Sequence, residues 1–194
     1  MSDEQTPKKS IWSKFNNWLF IGVLLLLLFN SDAKAWVLRQ LMHVGLFNAN
    51  LNKEAVVTNA PAAFRFMNAD GSTSSTADLQ GKVVFINFWA SWCPPCVAEM
   101  PSLNELYNKL KDDNNIVFLF INEDDDFSKA KAFMQGKGYT LPLQRTEGTV
   151  PTSIFSGTLP TTVVLNKQGQ VVLKKEGIAN YNTEAFVKQL KGLK

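Results

Sequence analysis

The spacing of apolar positions changes period several times along the chain, and each change predicts a different element. Residues 1–17 are polar and carry Lys8, Lys9 and Lys14; they lead into "WLFIGVLLLLLF" (18–29), an unbroken apolar run of 12 residues. In the next stretch, 35–47, Val37, Leu38, Leu41, Met42 and Gly45 share one helical face while Arg39, Gln40 and His43 share another. That pattern predicts an amphipathic helix. Residues 48–60 keep no period and read as a linker. After Pro61 a strand is expected over 62–67, then a turn at 68–71 and a Ser/Thr-rich return strand. Ser75 or Thr76 is placed to cap a short helix through Leu79 that stops at Gly81.

"KVVFINFWA" (82–90) is almost continuously β-branched or aromatic, which predicts a central strand covered on both faces. Beyond it, Val97, Met100, Leu103, Leu106, Tyr107 and Leu110 form a helical stripe, with Pro101 expected to kink it. A second buried strand (115–122), a helix (127–137), a short strand (140–146), a hairpin (161–166 with 170–177) and a closing helix (183–191, capped by Thr183) follow. Alternating elements ending in an antiparallel hairpin predict an α/β fold: a mixed central sheet, helices on both faces, and an N-terminal hairpin extension. One domain, 61–194, would hold all of it.

Composition narrows the function classes. The net charge is +3 and the basic residues are scattered, so no nucleic-acid footprint is present. No dinucleotide fingerprint occurs, and no cofactor is expected. The acidic run 123–126 lacks the glycine and distal glutamate of a calcium loop and reads as a solvated loop. The chain has two cysteines, Cys93 and Cys96, and one histidine, His43. Two cysteines cannot build a disulfide framework, and a four-ligand zinc site finds no further ligands near them. Val97 follows Cys96 where covalent haem attachment needs histidine.

The N-terminal run has two readings. Residues 18–31 are an anchor whose preceding lysines keep the N-terminus cytoplasmic, with 35–47 lying at the membrane surface. Alternatively, the run is a signal-peptide core, and Ala33-Lys34-Ala35 is a cleavage site that frees a soluble periplasmic protein. Under either reading the bulk of the chain is exported.

Cys93 follows a predicted strand end by three residues, at the expected start of the next helix. A helix N-terminus favours thiolate over thiol, and Pro94 suits the first turn, where a missing N–H matters little. Cys96 lies one turn deeper. A bridge across so small a ring stabilises little by loop closure, so a redox pair fits better than a structural staple.

Trp92-Cys93-Pro94-Pro95-Cys96 after a strand resembles the thioredoxin superfamily. The longer "NFWASWCPPCVAEMP" is similar to its membrane-anchored branch, the TlpA/ResA-like thiol–disulfide oxidoreductases. A second motif, "GTLPTTVVLN", supports the likeness, which covers about residues 60–194. The resemblance implies that Cys93 is the exposed nucleophile and Cys96 the resolving thiol. It implies a cis bond at Leu159–Pro160 facing them, with Trp92, Pro94, Pro95 and Leu159 meeting the substrate. The buried aspartate of typical thioredoxins is here Asn87, which cannot titrate, and Glu99 matches the branch's glutamate as a replacement proton acceptor. Trp89 is expected in the core. The implied activity is reduction of disulfides in exported proteins, with an integral membrane thiol carrier as electron donor and an inner-membrane anchor holding the domain in the periplasm. A non-catalytic binding or copper-carrier module and a thiol peroxidase are the alternatives.

Overall fold

The computed structural model describes residues 11–51 and 63–193. Most of the predicted 48–60 linker, and the first ten residues, lie outside them. Two helices lead the described chain: α1 (Ile11–Phe29) and α2 (Ser31–His43). Asn30 separates them, its Oδ1 accepting the Ala33 N–H at 3.0 Å, which caps α2. The amphipathic helix therefore begins at Ser31 and ends at His43, four residues ahead of the expected 35–47, because the cap falls at Asn30. Among the described residues no single helix is long and apolar enough to cross a membrane; Asn16–Phe29 and Ser31–Met42, bent by 99°, pass by length and composition only as a pair.

The remaining elements form one sheet and its covering helices. Strands β1 (Arg65–Asn68) and β2 (Thr73–Ser75) make the hairpin, followed by a 3₁₀ turn (Thr76–Leu79). Ser75 caps this turn in a reciprocal box with Asp78. Then come β3 (Val83–Trp89), α3 (Pro94–Leu110), β4 (Ile116–Asn122), α4 (Phe127–Lys137) and β5 (Leu143–Glu147). The hairpin β6 (Thr161–Leu165) and β7 (Val171–Glu176) precedes α5 (Glu184–Gly192), whose N-cap is Thr183. Helix α3 runs from Pro94 to Leu110 with Pro101 inside it. Strand order is β2-β1-β5-β4-β3-β6-β7, with β3, β4 and β5 parallel and the other pairs antiparallel. The sheet is mixed, as its alternating and hairpin segments predicted.

Every residue of β3 is buried, since both sheet faces are covered. One face packs Val83, Phe85 and Trp89 beneath α3, α4 and α5, through Leu103, Met134 and Phe186 among others. The other packs Val84, Ile86 and Phe88 under Phe64, Phe66, Leu79 of the 3₁₀ turn, and Ile154. A third, smaller cluster joins Ala35 and Leu38 of α2 to Val97 and Ala98 of α3. The N-terminal helix thus rests on the helix that begins at the cysteine pair.

Candidate active site

Strand β3 delivers the chain to the site. After Trp89, the Cys93 N–H bonds to the Ala90 carbonyl at 3.2 Å, closing a turn that points the chain into α3. Asp124 steadies this turn from the end of β4: its Oδ1 accepts from the Ser91 N–H at 3.0 Å and from the Ser91 hydroxyl at 3.1 Å. The acidic run is therefore not simply solvated, as the sequence suggested. Glu123 accepts the Thr146 hydroxyl at 2.8 Å, and Asp126 caps α4 through the Ser128 N–H at 2.9 Å.

Cys93 is the N-cap of α3, and Pro94 and Pro95 fill its first positions without N–H groups. The first N–H the helix has to offer is therefore that of Cys96, and it points at Cys93 Sγ, 3.3 Å away. A single donor at the positive end of a 17-residue helix favours a thiolate at that sulfur. Cys93 and Cys96 are joined in a disulfide. Cys96 is wholly buried, and Cys93 is only 3 % exposed, so the expected open nucleophile is instead held within the apolar cluster that contains Trp89 and Ala90. Trp92, next to it, is 65 % exposed. Trp92 and Pro94 line a groove of about 320 Å³ whose far wall is Ser31 and Asp32 of α2.

Glu99 sits one turn beyond Cys96, fully buried. Its Oε1 accepts from Asn87 Nδ2 at 2.8 Å, and its Oε2 accepts the Ala179 N–H at 3.3 Å. Burial pushes its pKa up to about 8, against the two hydrogen bonds, which act downward. Asn87 donates its second Nδ2 hydrogen to Thr162 Oγ1 at 2.9 Å, while its own buried Oδ1 has no partner among the described residues. An amide turned over would offer that oxygen to a protonated Glu99. Asn87 can therefore serve either charge state of the carboxyl, as donor to the anion or acceptor from the acid.

The Leu159–Pro160 peptide bond is cis. Thr161 pairs with Phe88 across the antiparallel β3–β6 ladder, so Pro160 stands beside the end of β3 from which the cysteine turn departs. Leu159 packs against the cluster holding both cysteines. Pro95 lines a second groove with Pro94, Leu27, Lys34, Val37 and Leu38. Trp89 is fully buried, as its place in the strand predicted. Among the described residues no group of three His, Cys, Asp or Glu side chains is placed to hold a metal ion.

The Redoxin family pattern matches residues 55–190. The chain belongs to the Redoxin family. It is 35 % identical over 162 residues to the thiol-disulfide oxidoreductase ResA of a Bacillus cereus strain, covering 83 % of this chain and 88 % of that one. Among solved structures it is similar to a thiol:disulfide interchange protein of the thioredoxin family from Chlorobium tepidum TLS, with a TM-score of 0.57, 25 % identity and coverage of 70 % and 97 % of the two chains. StoA from Bacillus subtilis gives a TM-score of 0.55 at 24 % identity, over 70 % of this chain and 98 % of that one, and shows the shared fold. Within this Redoxin chain, sequence reasoning missed Thr162, Ala179 and Asp124. Thr162 lies inside the "GTLPTTVVLN" motif, two residues after Pro160, but nothing in that string shows that its hydroxyl meets Asn87. The Ala179 contribution is a backbone N–H and leaves no trace in residue identity.

Proposed function

We propose that the protein reduces disulfides of exported proteins outside the cytoplasm, with Cys93 as nucleophile and Cys96 as resolving thiol. The chain is a thiol–disulfide oxidoreductase, and the observation that carries the assignment of roles is the Cys96 N–H aimed at Cys93 Sγ. In the reduced protein the Cys93 thiolate attacks one sulfur of the target disulfide. A mixed disulfide forms and the first target thiolate leaves. Cys96, as thiolate, then attacks Cys93 Sγ, the mixed bond breaks, and the second target thiolate leaves. Two electrons pass to the target, which takes up two protons, and the Cys93–Cys96 disulfide is left behind.

Glu99 is the proton acceptor for Cys96 in this scheme. Burial lifts the Glu99 carboxyl to about 8, far closer to the range of a thiol than an exposed carboxylate is, which suits it to take up the proton of Cys96. Trp92, Pro94 and Leu159 meet the target. A membrane thiol carrier returns the protein to the dithiol state. The 18–29 run anchors the domain to the inner membrane, on the side away from the lysines. Insulin reduction driven by dithiothreitol tests the activity: turnover is expected from the natural protein and none from Cys93→Ser. Turnover surviving in that variant would remove Cys93 from its role.

A further inference from the structure

Strands β3 and β4 run parallel with Trp89 opposite Asn122, and the Glu123 N–H extends the pairing to the Trp89 carbonyl at 2.9 Å. The chain thus leaves β4 beside the turn that leads into Cys93. Asn122, buried, takes the Asp124 N–H on its Oδ1 at 3.1 Å. That contact settles which end of the amide is which, so Nδ2 is left to donate to Asp124 Oδ2 at 3.0 Å. The carboxyl held in this way meets Ser91. The Ser91 N–H lies 3.0 Å from Oδ1 and 3.2 Å from Oδ2, and the Ser91 hydroxyl 3.1 Å from Oδ1. Ser91 is two residues ahead of Cys93, whose own N–H closes the turn on the Ala90 carbonyl.

Backbone and amide N–H groups only donate, and a carboxyl that receives them on both oxygens has the bonding pattern of an ionised group. Among the described residues no lysine or arginine forms an ion pair with Asp124. Its negative charge stands beside the N-terminus of α3, the same positive end that favours a thiolate at Cys93. Carboxylate and thiolate therefore compete for one helix end, and the carboxylate is always there. Other charged groups about the turn leave this balance in place. Asp32 of α2 and Lys137 of α4 are exposed and of opposite sign on the walls of the Trp92 groove, and Lys34 is exposed in the groove beside Pro95. Glu123 turns to the Thr146 hydroxyl, and buried Glu99 keeps its proton at neutral pH.

We propose that Asp124 is a positioning residue of the redox site: it holds the turn before Cys93 in place, and its charge restrains ionisation of the Cys93 thiol so that the pair stays reducing. A thiolate that gains less from the helix end stabilises the dithiol less, and a less stable dithiol is the stronger reductant. The same contacts fix the backbone on either side of Trp92, which is 65 % exposed beside the site where a target sulfur must approach. Clasp and charge come from one side chain, so a neutral and a longer acidic replacement separate them. The inference rests on the roles of Cys93 and Cys96 proposed above.

The test compares the full chain with Asp124→Asn, which keeps an oxygen for Ser91 and loses the charge, and with Asp124→Glu, which keeps the charge and is one methylene too long for the clasp. The first readout is the pH dependence of alkylation by iodoacetamide in a Cys96→Ser background, where Cys93 is the single thiol and the backbone N–H of residue 96 is retained. In Asp124→Asn the midpoint is expected to fall by about half a pH unit, the order of one nearby charge in partly solvated protein. With both cysteines present, the equilibrium with glutathione should then move about two- to threefold toward the dithiol. Asp124→Glu should keep the natural midpoint while kcat/KM for insulin falls several-fold, because the turn is loosened. A midpoint that stays put or rises in Asp124→Asn overturns the inference, and so does one that falls as far in Asp124→Glu. Where Asp124→Asn does not fold, Asp124→Ser is the second neutral variant and carries the same expectation. Insulin turnover that survives Cys93→Ser would instead remove the roles on which the inference rests; turnover lost in Cys93→Ser with an unmoved midpoint in Asp124→Asn removes the inference alone.

Discussion

Asn87 Nδ2 lies 2.8 Å from Glu99 Oε1, and neither residue has any exposed surface. This pair sets a neutral amide on β3 against a carboxyl on α3, the helix that carries Cys96. Burial sets the behaviour of Glu99. The folded protein holds its proton up to about pH 8, whereas an unfolded chain releases it near 4.5. Between those values the native state binds the extra proton, so stability falls as pH rises through the window.

Glu99→Gln should flatten that dependence. The natural protein is expected to lose a few kcal/mol between pH 5 and pH 8.5, read from denaturant midpoints, while the variant loses much less. In stopped-flow reduction at pH 7, release of target from the mixed disulfide should slow by about 10²-fold, the lower range for a lost acid–base group. Parallel stability curves and equal release rates would show that Glu99 carries no functional proton.

Asn87→Asp places a second carboxyl beside the first. Two buried carboxyls in hydrogen-bond contact cannot both ionise cheaply, so the pair should share a proton and release it later than Glu99 alone. Thermal unfolding should show a variant close to the natural protein at pH 5 and clearly less stable at pH 8. A constant difference at both pH values would point to a packing defect instead.

Cys96→Ser should trap the mixed disulfide, because the first exchange needs only Cys93 and the second needs the missing thiol. Non-reducing gels after incubation with a disulfide-bonded protein should show a covalent adduct that dithiothreitol removes. The double variant with Cys93→Ser should show none.

Ala49→Pro removes the N–H that the Asn180 carbonyl accepts, and so loosens the segment next to Ala179. The Ala179 N–H is one of two groups holding the Glu99 pKa down. Its displacement should move the pH inflection of mixed-disulfide release upward, with Ala49→Ser, which keeps the N–H, restoring it. An inflection that stays put in Ala49→Pro would detach the 47–51 segment from the chemistry.

Much of the fold was legible because its signals are local. The apolar run of β3, the Phe127–Lys137 helix and the Thr183 cap match the structure to within a residue or so, since periodicity and capping act over a few neighbours. The redox pair was legible for the same reason: strand, turn, Cys93, proline and Cys96 are consecutive. Glu99 was reachable from helical spacing alone. A raised pKa was also expected from partial burial beside the thiols; that the carboxyl is completely removed from water, and held by Asn87 and the Ala179 N–H, was not, because those groups come from elements far along the chain.

The amphipathic stripe of 35–47 shows the limit most clearly. Periodicity established a helix with an apolar side but could not say what that side meets. Val97 and Ala98, read as part of the redox helix, turn out to be what Ala35 and Leu38 meet. By itself the sequence determined the elements, the CxxC chemistry and the Pro160 motif, each encoded by residues adjacent or periodic in the chain. Only the tertiary structure decided that Asn87, Glu99, Thr162 and the Ala179 N–H converge, that α2 packs on Val97 and Ala98, and that residues 47–49 pair with Asn180. Those contacts join residues tens of positions apart, and they are selected by shared burial and backbone hydrogen bonding, which no local pattern records.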